Sequence, residues 1–243
     1  MNRLHALESK HRDEFRQKGF LIAKNFCQIS SKISEELSAI FARSASLDST
    51  TFINGAKYVI SGQGACCRVE WIPFEAPSVR SLFTGNAITA AASFLTGVDK
   101  FDLIICQYNF RRPSDNVTYD WHRDTQHDKG TFRDTRSPDE AILISIAATD
   151  IPPSCAPMSV LPYSHLEKNR NIIVPASEID VSTLTMSAGD ALFMHPALLH
   201  SSGENCSELV RGLLLGLLVP SNSYSRSKAP FSTITAERCH EAF

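Results

Sequence analysis

The sequence lacks the features that mark membrane, secreted and nucleic-acid-binding proteins. Its longest apolar run, from Gly212 to Pro220, falls far short of the roughly 20 residues that a membrane-spanning helix needs. The first residues, MNRLHALESKHRDEF, contain no apolar core and predict no signal peptide. Basic residues are not in excess, since 24 Lys and Arg stand against 26 Asp and Glu. We therefore expect neither a membrane nor a nucleic acid as a partner.

Paired cysteine motifs are also missing. The chain has seven Cys, an odd number, scattered without CxxC spacing. This pattern favours reduced thiols, most of them buried as small apolar side chains, and a cytoplasmic location. Repeats, low-complexity tracts and long linkers are absent as well, so we interpret residues 1–243 as a single domain.

The chain changes texture near residue 100. Before it, residues 8–19, 30–43 and 84–95 have helical patterns, residues 20–26 predict a strand, and the Ser/Gly-rich residues 44–80 are expected to be irregular. After it, short apolar runs bounded by turn residues predict an antiparallel sandwich or barrel. These runs are DLIICQYNF, YDWHRD, AILISIAATD, MSVLP, IIVP, ALFMHPALLH and LLLGLLVP.

The expected architecture is therefore mainly β with flanking α-helices. N-terminal helices occupy about residues 1–100, and a jelly-roll core follows over about residues 101–220. The polar tail, residues 221–243, is expected to form a flexible cover or to be partly disordered.

A His-x-Asp pair in the segment YDWHRD is the first candidate for a metal site. Residues i and i+2 of a strand point to the same side, so His122 and Asp124 can bind one ion. With a second His they form the 2-His-1-carboxylate set of non-haem iron(II) oxygenases, which leaves positions open for a bidentate cosubstrate and O₂. The pair alone is a weak signal, because His-x-Asp triplets also occur by chance.

The downstream segment SAGDALFMHPALLHSSG supplies the second His. Gly189-Asp190 predicts a turn and residues 191–194 a strand, after which His200 follows an apolar run. His195 is the competing ligand, and it fits less well because its spacing to Arg211 is longer. A decoy pair, His165 and Glu167, lies at a predicted loop start.

Arg211 opens the apolar run GLLLGLLV, where an unpaired charge would be costly. A dicarboxylate cosubstrate supplies a partner, because a guanidinium binds a carboxylate bidentately. Ser202, two residues after His200, can add a hydroxyl to the same carboxylate. The alternative is an ordinary internal salt bridge for Arg211.

The chain resembles the phytanoyl-CoA dioxygenase-like branch of the 2-oxoglutarate oxygenases. The resemblance covers almost the whole chain, and the segment from Gly189 to Arg211 is its most specific part. It rests on FRQKGFLIAKNF (residues 15–26), WHRD (121–124), MSVLPYSHL (158–166), GDALFMHPALLHSSG (189–203) and Arg211.

The resemblance implies a cupin-like double-stranded β-helix that uses Fe(II), 2-oxoglutarate and O₂. It favours His200 over His195, and it carries over Gln107 and Asn109 as residues that touch 2-oxoglutarate. Related halogenases have a small residue at the position of Asp124, so a carboxylate there favours hydroxylation, desaturation or ring closure over chlorination.

The substrate is harder to predict. We take Thr125, His127, Arg111 and Trp121 as candidate substrate contacts because they flank the predicted site. Arg111, Arg112, Arg123, Arg133 and Arg136 could attract an acidic small molecule, although a solvated loop offset by nearby Asp residues explains them equally well. We expect a small polar metabolite, such as an amino acid or a natural-product intermediate. The resemblance also leaves a coenzyme A thioester as an alternative substrate. The sequence predicts no oligomeric state.

Two other classes fit parts of the pattern. A jelly-roll protein that binds a small acid or metal without turnover would need a broken triad or no cosubstrate Arg. A zinc hydrolase could use the same three ligands, but it leaves Arg211 unexplained and offers no obvious general base.

Overall fold

The computed structural model describes residues 7–62, 64–126, 138–221 and 234–235. Four α-helices lie in the first part of the chain: α1 (Ser9–Lys18), α2 (Ser31–Ser44), α3 (Pro77–Phe83) and α4 (Asn86–Thr96). The first seven strands are β1 (Phe20–Ala23), β2 (Thr51–Ile53), β3 (Ala56–Ile60), β4 (Cys66–Glu70), β5 (Phe101–Arg111), β6 (Tyr119–His122) and β7 (Ile142–Ala147). The last six are β8 (Met158–Val160), β9 (Ser182–Leu184), β10 (Ala191–Met194), β11 (His200–Ser202), β12 (Arg211–Pro220) and β13 (Ile234–Thr235).

The helix boundaries follow from local capping chemistry. The hydroxyl of Ser30 accepts a hydrogen bond from the backbone N–H of Ile33, which starts α2 at the predicted place. Gly19 ends α1 in the left-handed conformation with φ of 86°, and its N–H donates to the carbonyl of Phe15. In the part of the chain that the structure describes, no helix combines the length and apolar character needed to cross a bilayer.

The strands form two antiparallel sheets. Over the described residues, the large sheet runs in the order β1-β10-β7-β12-β5-β4-β3-β2, with β13 also paired to β5. The small sheet runs β6-β11-β8-β9. Alternating connections between the two sheets give the predicted jelly roll, and the fold class is thereby confirmed.

Two apolar cores lie on opposite faces of the large sheet. The first packs helices α1 to α4 against its outer face, through residues such as Ile40, Phe83 and Leu214. The second fills the space between the two sheets, with Leu213, Leu217 and Val160 among its members. Alternate residues of β12 therefore face different cores, as the two-residue period of a strand requires.

Two parts of the secondary-structure prediction are wrong. Residues 44–80, expected to be irregular, contain β2, β3, β4 and α3, and β4 extends the large sheet by pairing with β5. The run IIVP is not a strand, and Ile173 and Val174 in it are exposed. Strands of the helix-containing N-terminal part and strands of the jelly roll thus belong to one sheet. This continuity supports our proposal of a single domain.

The turn before β10 is hydrogen-bonded to the segment that follows β1. Gly189 has φ of 90°, and a Cβ there would lie 2.3 Å from the carbonyl oxygen of Cys27. The buried carboxylate of Asp190 accepts hydrogen bonds from the backbone N–H of Asn25 and Ser187 and from Nζ of Lys24, each at 2.8 Å. Burial alone would raise the pKa of Asp190, but these hydrogen bonds hold it below its ordinary value.

Asp190→Ala is expected to lower the free energy of unfolding by about 2–4 kcal/mol, because the variant leaves buried donors without their charged acceptor. Urea denaturation measures the change, and the exposed Asp180→Ala provides the control. Because the pKa of Asp190 is depressed, its contribution is present at neutral pH and disappears as the pH falls below the ordinary carboxyl range. If Asp190→Ala unfolds at the same urea concentration as the wild type, the hydrogen bonds of Asp190 do not stabilise the edge of the sheet.

Candidate metal centre

Three predicted ligands meet at one end of the jelly roll. His122 ends β6 and His200 begins β11, and these two residues are direct cross-strand partners in the small sheet. Asp124 follows β6 in a short 3-10 turn. The ligand atoms of the three side chains lie within 4.8 Å of one another, the only such His/Cys/Asp/Glu group among the described residues.

Backbone carbonyls set the tautomer of both imidazoles. Nδ1 of His122 lies 2.7 Å from the carbonyl oxygen of Asp120, and Nδ1 of His200 lies 2.9 Å from that of Leu198. A carbonyl oxygen can only accept, so each Nδ1 carries the proton. With the proton on Nδ1, the lone pair of an uncharged ring lies on Nε2, which is the arrangement that metal-ligating His residues commonly show.

The carboxylate of Asp124 completes the group. Its Oδ1 lies 4.0 Å from Nε2 of His122, and its Oδ2 lies 3.8 Å from Nε2 of His200. Oδ2 is buried and has no hydrogen-bond partner, a costly state for a carboxylate unless a cation binds it. Burial, followed by the neighbouring His200, lowers the pKa of His122, which favours the neutral form that binds metals.

Two buried arginines lie side by side on the large sheet. Arg211 starts β12 and pairs across the sheet with Arg111 at the end of β5, and neither is more than 2% exposed. Arg111 donates to the carbonyls of Val117 and Phe110, whereas its Nη2 and the Nε of Arg211 have no partner. Neither guanidinium forms a salt bridge with a described acidic residue. Burial, followed by repulsion from Arg111, lowers the pKa of Arg211 to about 10.

Polar side chains predicted to touch the cosubstrate lie near these arginines in the fold. Asn109 and Gln107 face the interior of the jelly roll, because their β12 partners Leu213 and Leu215 belong to the inner core. Oγ of Ser202 and Oδ1 of Asn109 are buried without hydrogen-bond partners. Gln107 is only partly buried. The interior therefore holds several buried polar atoms that have no hydrogen-bond partner among the described residues.

Tyr119, which no sequence pattern singled out, lies between the metal group and the arginines. It pairs with Ser202 across the small sheet, and its ring lies 6.2 Å from the ring of His122. The guanidinium of Arg111 stacks over the Tyr119 ring at 4.6 Å. Plain strand alternation would place Tyr119 and His122 on opposite faces. An irregularity in the β6–β11 register brings them to the same side.

The chain matches the phytanoyl-CoA dioxygenase (PhyH) family over residues 15–213. This chain belongs to the PhyH family. Enzymes of the family use iron(II), 2-oxoglutarate and O₂, so the match supports an iron- and 2-oxoglutarate-dependent oxygenase. No curated protein sequence matches the chain.

Solved structures share the fold of this PhyH-family chain at low identity. The alpha-ketoglutarate-dependent carbocyclase SnoK from nogalamycin biosynthesis has a TM-score of 0.70 and 18% identity, covering 90% of this chain and 86% of SnoK. EctD from S. alaskensis with 2-oxoglutarate and 5-hydroxyectoine has a TM-score of 0.71 and 17% identity, covering 90% and 81%. The epimerase SnoN with Fe³⁺, alpha ketoglutarate and nogalamycin RO has a TM-score of 0.67 and 18% identity, covering 87% and 83%.

The remaining predicted substrate contacts of this PhyH-family chain occupy different positions. Thr125 and Trp121 are partly buried and flank the metal ligands along the chain. His127 lies outside the described residues. Arg111, predicted to flank the site, is buried in the interior, where β5 places it beside Arg211.

The arginines considered as an attractor for an acidic molecule are not gathered at one place among the described residues. Arg123 is buried and donates to the backbone carbonyls of Ala197, Ile172, Ser164 and Asn169, so it anchors loops. Arg112 points to the helix side of the sheet, where it donates to the hydroxyl of Ser44. Arg133 and Arg136 lie outside the described residues.

The two competing His residues lie together in a separate place. Nδ1 of His195 accepts the backbone N–H of Ala197, and its Nε2 therefore donates to Asp139 at 3.1 Å. His165 lies beside it, with Nε2 donating to the carbonyl of Arg16. Both His line a cavity of about 420 Å³ that contains none of the three metal-site residues. Burial, followed by the neighbouring His165, lowers the pKa of His195 to about 4, so it stays neutral.

Proposed function

We propose that this protein is an iron(II)- and 2-oxoglutarate-dependent dioxygenase that hydroxylates a C–H bond of a small polar metabolite. The observation that carries the proposal is the combination of a His122, Asp124 and His200 group with a buried arginine pair that has no described acidic partner. A metal-binding group alone would fit several chemistries. The added cationic pocket fits an oxygenase whose cosubstrate is a dicarboxylate.

The donor set fits a divalent cation such as iron(II). Both imidazoles keep their protons on Nδ1, and the unpartnered Oδ2 of Asp124 lies toward His200. The metal would therefore be held by Nε2 of each His and by the Asp124 carboxylate. Three protein ligands leave the remaining coordination positions for 2-oxoglutarate and O₂. Bound iron(II) supplies the oxidising chemistry, in which 2-oxoglutarate and O₂ are converted to succinate and CO₂.

The unpartnered polar atoms fit the far carboxylate of 2-oxoglutarate. Arg211 can bind it bidentately, and the hydroxyl of Ser202 can donate to it. The Asn109 amide can turn so that its nitrogen donates, because its oxygen has no donor to hold it. We propose that Arg111 adds a second positive charge to this pocket. A bound dianion would offset the buried charges that are otherwise costly.

The aliphatic part of the interior separates this pocket from water. Leu213 and Leu215 pair with Asn109 and Gln107 and are nearly inaccessible to solvent. In such surroundings charge pairs are stronger than in water, and a reactive site is protected from solvent. The protein's contribution is thus to orient the cosubstrate and to exclude water, while the oxidising power comes from the metal and O₂.

The type of reaction that the substrate undergoes is also part of the proposal. The related folds include a carbocyclase and an epimerase, so the fold accommodates several outcomes after a C–H bond is attacked. Asp124 occupies the coordination position that a halide would need, which argues against chlorination, and among the remaining outcomes we propose hydroxylation. Thr125 and Trp121 remain proposed substrate contacts, and Gln107 a proposed contact of 2-oxoglutarate.

Free thiols support a reducing environment. The six described Cys residues are all free, including the adjacent and buried Cys66 and Cys67. Cys206, which is exposed, is one of these six. Adjacent thiols that remain unpaired are typical of reducing compartments, and we propose that the protein works in the cytoplasm.

Anaerobic titration with Fe(II) and then 2-oxoglutarate tests the proposal. Chelation of iron(II) by this keto acid in a facial-triad site should give a weak visible charge-transfer band near ~500 nm. A folded protein that binds Fe(II) without developing the band would overturn the proposal and favour a metal-binding module or a zinc enzyme. If the band forms, succinate release with a panel of metabolites then identifies the substrate.

A further inference from the structure

A row of side chains crosses the inner face of the large sheet from its centre to its edge. In the sheet register, Leu215 pairs with Gln107, Gln107 with Glu70, Glu70 with Lys57, and Lys57 with Phe52. Directly opposed residues of antiparallel strands point to the same face, so all five side chains share the inner face. The row therefore leads from the interior of the jelly roll to the edge strand β2.

This row becomes more open toward β2. Leu215 is buried, the side chains of Glu70 and Lys57 are 22% and 30% exposed, and Phe52 is 61% exposed. Oε2 of Glu70 accepts a hydrogen bond from Nζ of Lys57 at 3.2 Å. The interior thus opens into a cleft whose wall is an ion pair followed by an exposed aromatic ring.

The adjacent row on the same face belongs to the proposed cosubstrate pocket. Arg68 pairs with Asn109, and its Nη1 lies 3.5 Å from the hydroxyl of Tyr119, a long contact between the two sheets. Nε of Arg68 donates to Oε1 of Glu70 at 2.9 Å. Glu70 therefore marks the boundary between the cosubstrate pocket and the cleft, and the cleft is left for a different molecule.

The cleft opens on the metal side of that pocket. Nε of Arg111 donates to the carbonyl of Val117 at 3.1 Å, so β6 begins beside the end of β5. From there β6 runs back in the direction that leads along β5 from Arg111 to Gln107. His122 ends β6 after a rise of about 10 Å, and Gln107 lies about 13 Å from Arg111 along β5. The metal ligands therefore lie toward the Gln107 row.

Trp71 supports Phe52 from an unusual backbone conformation. In a regular strand Trp71 would face away from Glu70, on the outer side with Val69. It has φ of 56° and ψ of 38°, a left-handed conformation that is costly for a bulky residue. As a result its ring stacks on that of Phe52, with centroids 5.8 Å apart and planes 23° from parallel.

A stacked pair in this position favours a small-molecule ligand. Single exposed apolar side chains are ordinary, whereas strained residues are concentrated at functional sites. Even with exposed Phe74, which lies against the turn between β2 and β3, the aromatic side chains offer less than the roughly 800 Å² that each partner of a protein interface contributes. The patch is the right size for one ring system.

We propose that the Phe52–Trp71 pair binds a flat unsaturated ring of the primary substrate, so the substrate is a polar metabolite that carries such a ring. Phe52 presents a flat surface to the ring, Trp71 holds Phe52 in place, and Lys57 and Glu70 contact polar groups between the ring and the metal. This inference rests on the proposed function, because it identifies the cleft beside the metal as the substrate site.

The test uses the anaerobic protein loaded with Fe(II) and saturating 2-oxoglutarate. The probes are 2-naphthalenemethanol and its fully saturated analogue, decahydro-2-naphthalenemethanol, which share a carbon skeleton and a hydroxyl group but differ in flatness. Calorimetry measures binding, and the visible band reports perturbation of the metal centre. We expect the flat probe to perturb the band and to bind about 3-fold to 10-fold more tightly than the saturated one.

Variants of Phe52 separate ring stacking from general apolar contact. Phe52→Leu keeps an apolar side chain and should remove the preference for the flat probe, whereas Phe52→Tyr should retain it. Because Phe52 is exposed, both variants should unfold at the wild-type urea concentration. Tyr163→Leu is the matched control. Tyr163 is also exposed and left-handed, but its N–H donates to the carbonyl of Lys18 at the end of α1.

The outcomes distinguish this inference from the proposed function. If the band fails to form in wild-type protein, the proposed function fails. If the band forms but the flat probe binds no better than the saturated one, or leaves the band unchanged, the substrate inference alone is overturned. An equal preference in wild type and Phe52→Leu also overturns it. So does a wild-type dimer that Phe52→Leu dissociates in sedimentation, since the patch would then be an interface between copies.

Discussion

Asp124→Ala is expected to abolish the Fe(II)–2-oxoglutarate band and to weaken Fe(II) binding by more than about 100-fold. Removing a residue that only orients a metal ligand already costs 10-fold to 100-fold, and Asp124 is proposed to bind the metal directly. The variant leaves His122 and His200, whose Nε2 atoms would hold the ion without a charged ligand. Anaerobic calorimetry with Fe(II), followed by the band titration, measures both effects.

The fold itself should tolerate Asp124→Ala. Oδ2 of Asp124 is buried and accepts no hydrogen bond, so its removal breaks no hydrogen bond of that atom. We expect the metal-free variant to unfold at or above the urea concentration at which the metal-free wild type unfolds. Exposed Asp48→Ala serves as the charge-matched control. Wild-type succinate production by Asp124→Ala would exclude the ligand set that we propose.

Arg211→Met is expected to raise the dissociation constant for 2-oxoglutarate by about 100-fold or more, because a bidentate charge-assisted contact is lost from a buried pocket. Methionine retains much of the side-chain volume, and its uncharged tip relieves the repulsion between Arg211 and Arg111. The band titration with increasing 2-oxoglutarate measures the dissociation constant. Affinity for Fe(II) alone should change little.

Stability distinguishes a binding role from a structural role for Arg211. Because its Nε has no partner, the metal-free Arg211→Met variant should be as stable as wild type or more stable. Arg112→Met is the matched control, since Arg112 contacts Ser44 on the helix side and should affect stability without affecting 2-oxoglutarate binding. A large loss of stability in Arg211→Met with unchanged 2-oxoglutarate affinity would contradict the role we give to Arg211.

Much of the candidate metal centre could be predicted from the sequence, because its residues lie in short motifs. His122 and Asp124 are two residues apart, so their side chains stay close although Asp124 lies in the 3-10 turn that follows β6 and not in the strand. His200 and Arg211 are conspicuous because each adjoins an apolar run. Burial of an imidazole or a guanidinium there is costly unless the group has a binding partner. Turn residues and short apolar runs likewise predicted the jelly roll, since the strands alternate with strong breakers.

The prediction failed where the partner strand decides the outcome. Residues 51–70 contain three strands although their composition resembles a loop. β4 pairs with β5, β3 with β4 and β2 with β3, which satisfies backbone groups and buries Tyr58 and Val69. Conversely, the apolar run IIVP lies outside the strands, with Ile173 and Val174 exposed. The strand propensity of a segment does not show whether a neighbouring strand is available to pair with it.

By itself the sequence determined the type of chemistry: the residues that can bind iron, the arginine that can bind a dicarboxylate, and the class of fold that brings them together. Tertiary structure alone decided the surroundings of that chemistry. It buried Arg111 beside Arg211, turned Arg112 and Arg123 away, and brought Tyr119 and Arg68 next to the site. The physical reason is that strand alternation assigns a residue to a face, whereas its neighbours on that face depend on sheet register and on irregularities such as the one between β6 and β11.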